Sequence, residues 1–194
     1  MHAAVHGGVT WVGDVSPERM AFAAARNAVV ANALTTEADA IFWCDDDVEL
    51  PVDAISRLVA HRLDFVTGIL CQRVAPHWPL VAAFNRELQT FNWWHTFPKD
   101  VLAPADGCGF GIVLTSLPLL RAIAAPHFAW EQFSEDFDFC LKAQQAGFQL
   151  YADTGVRAVH LGDPVRVSLE TYEDGRDRGA LPLGRPLSPA AGHP

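Results

Sequence analysis

The 194-residue chain carries a formal net charge of −9, from 14 Lys and Arg against 23 Asp and Glu, and is 50% hydrophobic but only 19% charged. That balance excludes an intrinsically disordered body and a broad electrostatic footprint on nucleic acid, so a phosphorylated ligand needs a local device such as a bridging cation or a few arginines. The length is that of one compact domain able to bury a full core. Residues 8–15 (GVTWVGDV) read as a short strand and loop. Ser16-Pro17 has the form of a helix start, serine as N-cap and proline in the first turn. Met20, Ala23, Ala24, Val29, Val30 and Leu34 recur at roughly helical spacing, which predicts an amphipathic helix over 17–35.

Ala40-Ile41-Phe42-Trp43-Cys44 is a continuous apolar run of the kind found in strands buried on both faces, and it stops at Asp45-Asp46-Asp47. A second helix is expected over 51–61 and a second apolar strand over 65–70. Strand, helix and strand of these lengths predict parallel pairing through a helical crossover, hence an α/β fold. Val81-Ala82-Ala83-Phe84 and residues 89–96 read as shorter, antiparallel strands with the aromatics Phe91, Trp93 and Trp94; Trp93-Trp94 is a candidate exposed apolar patch for association. The glycine segment Gly107-Cys108-Gly109-Phe110-Gly111 leads into Ile112-Val113-Leu114. Helices are predicted over 118–124 and 135–146, the latter closed by Gly147, then strands over 149–152 and 156–161. Beyond Gly162 the composition turns to Gly, Pro, Arg and Asp, and from residue 181 it reads as a disordered tail.

The four cysteines form no C-x-x-C pair, so they are expected as buried free thiols of a reducing compartment. With neither a signal peptide nor an apolar run long enough to span a bilayer, the expected location is cytoplasmic, with no transmembrane segment.

Three segments carry chemistry. Asp45 and Asp47 lie two residues apart after an apolar strand, so their carboxylates are expected to point the same way at the strand's C-terminal edge, where ligands bind in open α/β sheets. Adjacent carboxylates repel, and a hard divalent cation such as Mg²⁺ or Mn²⁺ relieves them; a lone D-x-D is nevertheless ordinarily a solvated turn. Ser134-Glu135-Asp136 opens a predicted helix after Phe128, Trp130 and Phe133. Its acids either complement the helix dipole or serve as a general base beside aromatics that bind a sugar face. His160, at the end of a predicted strand, is a candidate third ligand if it faces Asp47.

Taken in order, Ala25-Arg26-Asn27, "IFWCDDDVEL", "VTGILCQR", "GCGFGIVL", "SEDFDFCLKAQQAGFQLYAD" and "VHLG" resemble glycosyltransferases of the GT-A fold, especially the compact family-2-like enzymes of bacteria and phages. The resemblance spans residues 9–162. It implies a single-domain, Rossmann-like mixed sheet flanked by helices over 1–162, with 163–194 as a partly disordered extension. The opening "HAAVHGGVTWVG" departs from the strand and helix that usually begin such domains.

The resemblance further implies that Asp45 and Asp47, with His160, hold Mn²⁺ or Mg²⁺, Asp47 being the direct ligand and Asp45 the donor-side partner. Asp46 belongs to the same block and is expected to matter least. Asp136 is the implied base, beside Glu135. Arg26, Asn27 and Arg73 are expected near a UDP- or GDP-sugar donor, and Gly109 and Gly111 near donor sugar or acceptor, where absent side chains permit close approach. The implied reaction is metal-dependent transfer of a sugar to an acceptor hydroxyl. A non-catalytic nucleotide-sugar-binding or scaffold protein of the same fold is the alternative. A metal-dependent phosphoryl or nucleotidyl transferase ranks third, since no G-x-x-x-x-G-K-[ST] loop is present.

Overall fold

A computed structural model describes residues 4–6, 8–162 and 166–178. The first half holds β1 (Ala4–His6), β2 (Val9–Trp11), α1 (Phe22–Ala33), β3 (Ala40–Cys44), β4 (Val48–Glu49), α2 (Ala54–Ala60), β5 (Phe65–Ile69), β6 (Val81–Asn85) and β7 (Thr90–Trp93). The second holds β8 (Leu102–Ala105), β9 (Gly107–Cys108), β10 (Ile112–Ser116), α3 (Leu117–Ala122), α4 (Glu135–Gln145), β11 (Leu150–Arg157), β12 (Val159–Leu161), β13 (Arg166–Val167) and α5 (Leu169–Asp177). The predicted disordered tail lies outside the described residues.

The central sheet has the order β3-β10-β5-β11-β8. β10 runs antiparallel to both β3 and β5, while β5 and β11 are parallel and β8 is antiparallel to β11. The fold is therefore α/β with a mixed sheet. β3 and β5 do point the same way, but β10 is inserted between them, so the predicted direct pairing does not form. Its position at the sheet's edge also explains why β3 is not buried on both faces: only Trp43 is buried, whereas all of β5 is. The register Ile112↔Cys44 puts the start of β10 beside the end of β3. The C-terminal ends of β3, β5 and β11 and the N-terminal end of β10 thus open onto one edge.

Two small sheets flank this edge. In one, β12 pairs with β4 and β13, all antiparallel; in the other, β6 lies between β7 and β9. β11 runs unbroken through the predicted gap at 153–155, because a register shift against β5 absorbs the extra residues.

Helix α1 starts at Phe22, not at Pro17. Arg19 adopts a left-handed φ of 57°, which interrupts any helix through 17–20, and the extended Ala21 precedes the first turn with no side-chain cap. α4 begins at Glu135 as expected, and Gly147 follows it at φ 92°.

The core is aromatic. Phe110 meets Trp43, Phe65, Phe128 and Phe139 edge-on, and Phe128 stacks on Phe139 with centroids 4.5 Å apart. A second cluster joins Phe91 and Trp93 to Phe133 and Phe137. Trp93 is accordingly buried against α4, and Trp94 packs on Phe97, so the pair is not the exposed patch its composition suggested. Cys71, Cys108 and Cys140 are buried free thiols, while Cys44 is exposed. Val167, Leu169 and Tyr172 pack into the same core as Phe65. Among the described residues no helix is long and apolar enough to cross a membrane.

Candidate active site

The acidic block leaves β3 as a turn rather than as extended chain. The Asp45 amide donates to the Gly111 carbonyl at 3.3 Å, and the Val48 amide closes back on the Asp45 carbonyl at 3.3 Å. Alternation of side chains applies to strands, so it does not govern this turn, and the two outer carboxylates take different partners. Asp45 faces Arg26, with Oδ1 3.8 Å from Nη2. Asp47 faces Arg73 and His160, its Oδ2 lying 2.8 Å from Arg73 Nη1 and 3.3 Å from His160 Nε2. Asp46 is exposed.

His160 reaches Asp47 through strand pairing. In the β4–β12 ladder His160 stands opposite Val48, and the Leu161 amide donates to the Asp47 carbonyl at 2.7 Å. The ring's Nδ1 lies 2.8 Å from the Cys71 carbonyl at the end of β5. A carbonyl only accepts, so Nδ1 carries a hydrogen, and Nε2 is the ring nitrogen turned toward Asp47. Nε2 and the Asp47 carboxylate lie 3.3 Å apart, and the Arg73 guanidinium meets the same carboxylate oxygen. A histidine whose other nitrogen donates to a carbonyl is also the tautomer used in metal binding. Asp47 and His160 are donors of the kind a divalent cation takes, although Arg73 already pairs with Asp47. Asp45 does not complete the set: among the described residues no group of three His, Cys, Asp or Glu side chains is placed to hold one metal ion.

Arg26 gathers the other half of the site. It projects from α1, donates from Nη1 to Glu135 Oε1 at 2.7 Å, and sits under the faces of Phe110 and Phe128 at 5.4 and 5.7 Å from their centroids. Its side chain is 12% exposed and that of Glu135 is 7%. A guanidinium withdrawn from water in this way is stabilised by the paired carboxylates and the ring faces. Asn27, expected near the donor, instead spends its amide on the protein: Nδ2 donates to the Phe128 carbonyl at 2.7 Å and Oδ1 accepts the Phe128 amide at 3.0 Å.

At the start of α4, Ser134 occupies the N-cap position, but its hydroxyl donates to Asp136 Oδ1 and accepts no helix amide. The Phe137 amide donates to the same oxygen at 2.9 Å, leaving Oδ2 free of protein donors among the described residues. Burial pushes the Asp136 carboxyl above the usual carboxylate range, against the opposing pull of Ser134, Arg26 and the Phe137 amide. Burial likewise raises Glu135, reinforced by the neighbouring Asp136 charge and opposed by Arg26. Burial also raises Asp45, with Arg26 pulling the other way. Asp138 holds the preceding loop, its carboxylate accepting the amides of Glu131, Gln132 and Phe133 at 2.7–3.1 Å.

The glycine segment links the two halves. A methyl on Gly111 would lie 3.1 Å from Asp45 Oδ2 and collide with Leu70; one on Gly109 would lie 3.7 Å from Asp136 Oδ2. Leu70 lies closest to a methyl on Gly111 and Leu80 to one on Gly109, so close packing beside these carboxylates is what the missing side chains permit.

The sequence-predicted residues Arg26, Asp45, Asp47, Arg73, Gly109, Gly111, Glu135, Asp136 and His160 thus meet at one edge. Two contributors were missed. Phe22, 71% exposed, has its ring centroid 6.0 Å from the Arg26 guanidinium, a pairing one helical turn apart that spacing alone makes visible. The Cys71 carbonyl, a backbone group, has no sequence signal at all.

No family model and no curated protein matches the chain. Among solved structures, the A197 protein from STIV is similar at a TM-score of 0.61 and 18% identity, over 79% of this chain and 74% of that one. GalNAc-T7, solved with UDP, GalNAc and Mn²⁺, is similar at a TM-score of 0.56 and 15% identity, over 88% of this chain and 40% of that one. At these identities the likeness is one of fold, a mixed α/β sheet flanked by helices, and it does not extend to the family-2-like enzymes of bacteria and phages.

Proposed function

We propose that the protein is a metal-dependent glycosyltransferase that moves a sugar from a UDP- or GDP-sugar to an acceptor hydroxyl. The observation that supports this reading is the placing of the Asp47–His160 pair and of Asp136, with one carboxylate oxygen free of protein donors among the described residues, at the ends of the strands and helix that face one sheet edge. GalNAc-T7, which shares the fold, was solved with UDP, GalNAc and Mn²⁺, which supports a nucleotide-sugar donor and a divalent cation; GDP-sugars and Mg²⁺ come from the sequence resemblance alone.

Asp47 and His160 hold the cation in this reading, and when bound it supplies positive charge to the diphosphate leaving group. Asp45, held beside Arg26, faces the donor. Asp136 accepts the acceptor's hydroxyl proton on Oδ2 while Ser134 and the Phe137 amide fix Oδ1. Its upward-shifted pKa makes it a stronger base than an ordinary aspartate, which suits proton abstraction near neutral pH. Glu135 is already engaged by Arg26 and serves to fix that arginine. The exposed Trp130, on the loop anchored by Asp138, offers an apolar face for a sugar.

Thermal unfolding against a panel of nucleoside diphosphates and nucleotide sugars, with and without Mn²⁺, tests the reading. At least one nucleotide raises the midpoint only when metal is present, and Asp47→Ala removes the effect. A flat response to the whole panel overturns the proposal. Metal-dependent binding without turnover on any donor favours a scaffold role instead.

A further inference from the structure

We infer that the outer edge of β3 is a strand-addition site, and that its occupant is an extended segment of another polypeptide with an apolar centre and Lys or Arg at both ends. The inference is independent of the nucleotide-sugar reading.

Pairing with β10 fixes which backbone groups of β3 are in use. The Leu117 amide donates to the Asp39 carbonyl at 2.9 Å, and the Asp45 amide to the Gly111 carbonyl at 3.3 Å. In an antiparallel ladder the N–H and C=O of one residue point the same way and those of the next point the opposite way, so Ile41 and Trp43 also bond to β10. Ala40, Phe42 and Cys44 therefore turn their amides and carbonyls outward. Among the described residues no backbone group pairs with them, and β1 and β2 pair only with each other. An unpaired row of this kind is a template for a further strand.

The two faces beside that row are covered, which leaves the edge itself as the open side. Ile41 and Trp43 belong to the core cluster that holds Val30 of α1, while Ala40 and Phe42 pack with the cluster that holds Leu58 of α2. The opposite edge of the same sheet is blunted: β8 carries Pro104, which has no amide to offer. Along β3 there is no proline, no lysine and no break in register against β10. The devices that keep an edge from pairing are present on one side of the sheet and absent on the other.

Charge selects the occupant. The exposed Glu37 and Asp39 precede β3, and Asp45, Asp46 and Asp47 follow it. Among the described residues only Asp45 and Asp47 of these five meet a cationic side chain. A second copy of the chain, added antiparallel about Phe42, sets Asp39 against Asp45 at both ends. Like charges directly opposite one another oppose pairing, and the net charge of −9 on each copy adds to the repulsion. A segment of another protein with a basic residue at each end meets carboxylates there instead, and its apolar centre continues the run Ala40–Cys44 across the sheet.

Amide hydrogen exchange, followed residue by residue by NMR, tests the site. The probe is a synthetic peptide of alternating Val and Thr, about five residues long, with a pair of lysines at each end; a control peptide carries glutamates in their place. In the free protein Ala40, Phe42 and Cys44 exchange at least about tenfold faster than Ile41 and Trp43. The lysine-flanked peptide slows those three amides by about tenfold or more and leaves Ile41 and Trp43 near their free rates, whereas the control slows none. Glu37→Lys combined with Asp39→Lys, both exposed and outside the candidate site, weakens the peptide about three- to tenfold, and added salt weakens it on wild type. No slowing at about 1 mM peptide overturns the inference. Equal slowing by the glutamate control overturns it too, because charge then does not select the occupant. Protection of the three amides that grows with protein concentration in the absence of peptide, together with a dimer in sedimentation, makes a second copy the occupant and overturns it as well. No donor or metal enters these measurements, so their failure leaves the proposed function standing.

Discussion

Glu135 and Asp136 are neighbours in sequence with opposite surroundings. Arg26 holds Glu135 at 2.7 Å in a nearly dry setting, whereas Asp136 has one oxygen fixed by Ser134 and Phe137 and the other open toward Gly109. The two substitutions are therefore expected to separate. Asp136→Asn lowers the transfer rate by about 10²–10⁴-fold, the usual worth of a general base, and leaves donor affinity within twofold or so. Glu135→Gln removes the charge that compensates Arg26 and costs about 1–3 kcal/mol of stability, read as a lower unfolding midpoint. Comparable rate losses in both, with stability untouched, would remove the distinction between base and anchor.

At the scale of elements, the register shift in β11 delivers His160 to β4. Asp153 lies inside it, its side chain 1% exposed, gripped by Arg57 through Nε at 2.7 Å and Nη2 at 2.8 Å, by His61 at 2.7 Å and by the Gly155 amide at 2.9 Å. Burial pushes this carboxyl up, but the hydrogen bonds from Arg57, His61 and Gly155 outweigh it and leave the group below the usual range. A depressed folded pKa means the stabilisation is complete above the unfolded value of about 3.9 and is lost as the pH falls from there through the lower folded value. Asp153→Asn should destabilise the neutral protein by about 1–3 kcal/mol, toward the lower end because Arg57 is 37% exposed and can turn to water. Acid unfolding of the variant should also be less steep below pH 4 or so, measured by circular dichroism. An unchanged acid limb would show that the cluster does not support the shift.

Over the whole molecule, α5 belongs to the same core as the central sheet. Tyr172 is 1% exposed, its hydroxyl donates to the His95 carbonyl at 3.1 Å, and Arg176 Nη1 donates to the same carbonyl at 3.0 Å. Ser168 and Thr171 close a reciprocal cap at the helix start. Loss of the buried ring in Tyr172→Ala is expected to cost about 3–5 kcal/mol, and loss of the hydroxyl alone in Tyr172→Phe about 1 kcal/mol. Equal stability of Tyr172→Ala and wild type in urea would show that the helix is not docked in solution.

Local pattern determined much of this protein. The apolar runs at Ala40–Cys44 and Phe65–Ile69, the helix at Glu135–Gln145 and the α/β class follow from periodicity and turn residues that act over a few positions. The candidate site residues were likewise visible in one dimension, as carboxylates, an arginine and a histidine at strand and helix ends. The tertiary structure decided what those residues touch. The insertion of β10 between β3 and β5, the 109-residue separation bridged by Arg26 and Glu135, and the opposition of His160 to Asp47 depend on contacts between distant segments, which no local pattern encodes. It also decided that Asp45 and Asp47 part company and that Asn27 is a clamp. The acidic block is a turn, where alternation does not hold, and a backbone 101 residues away supplied the partners that the amide required.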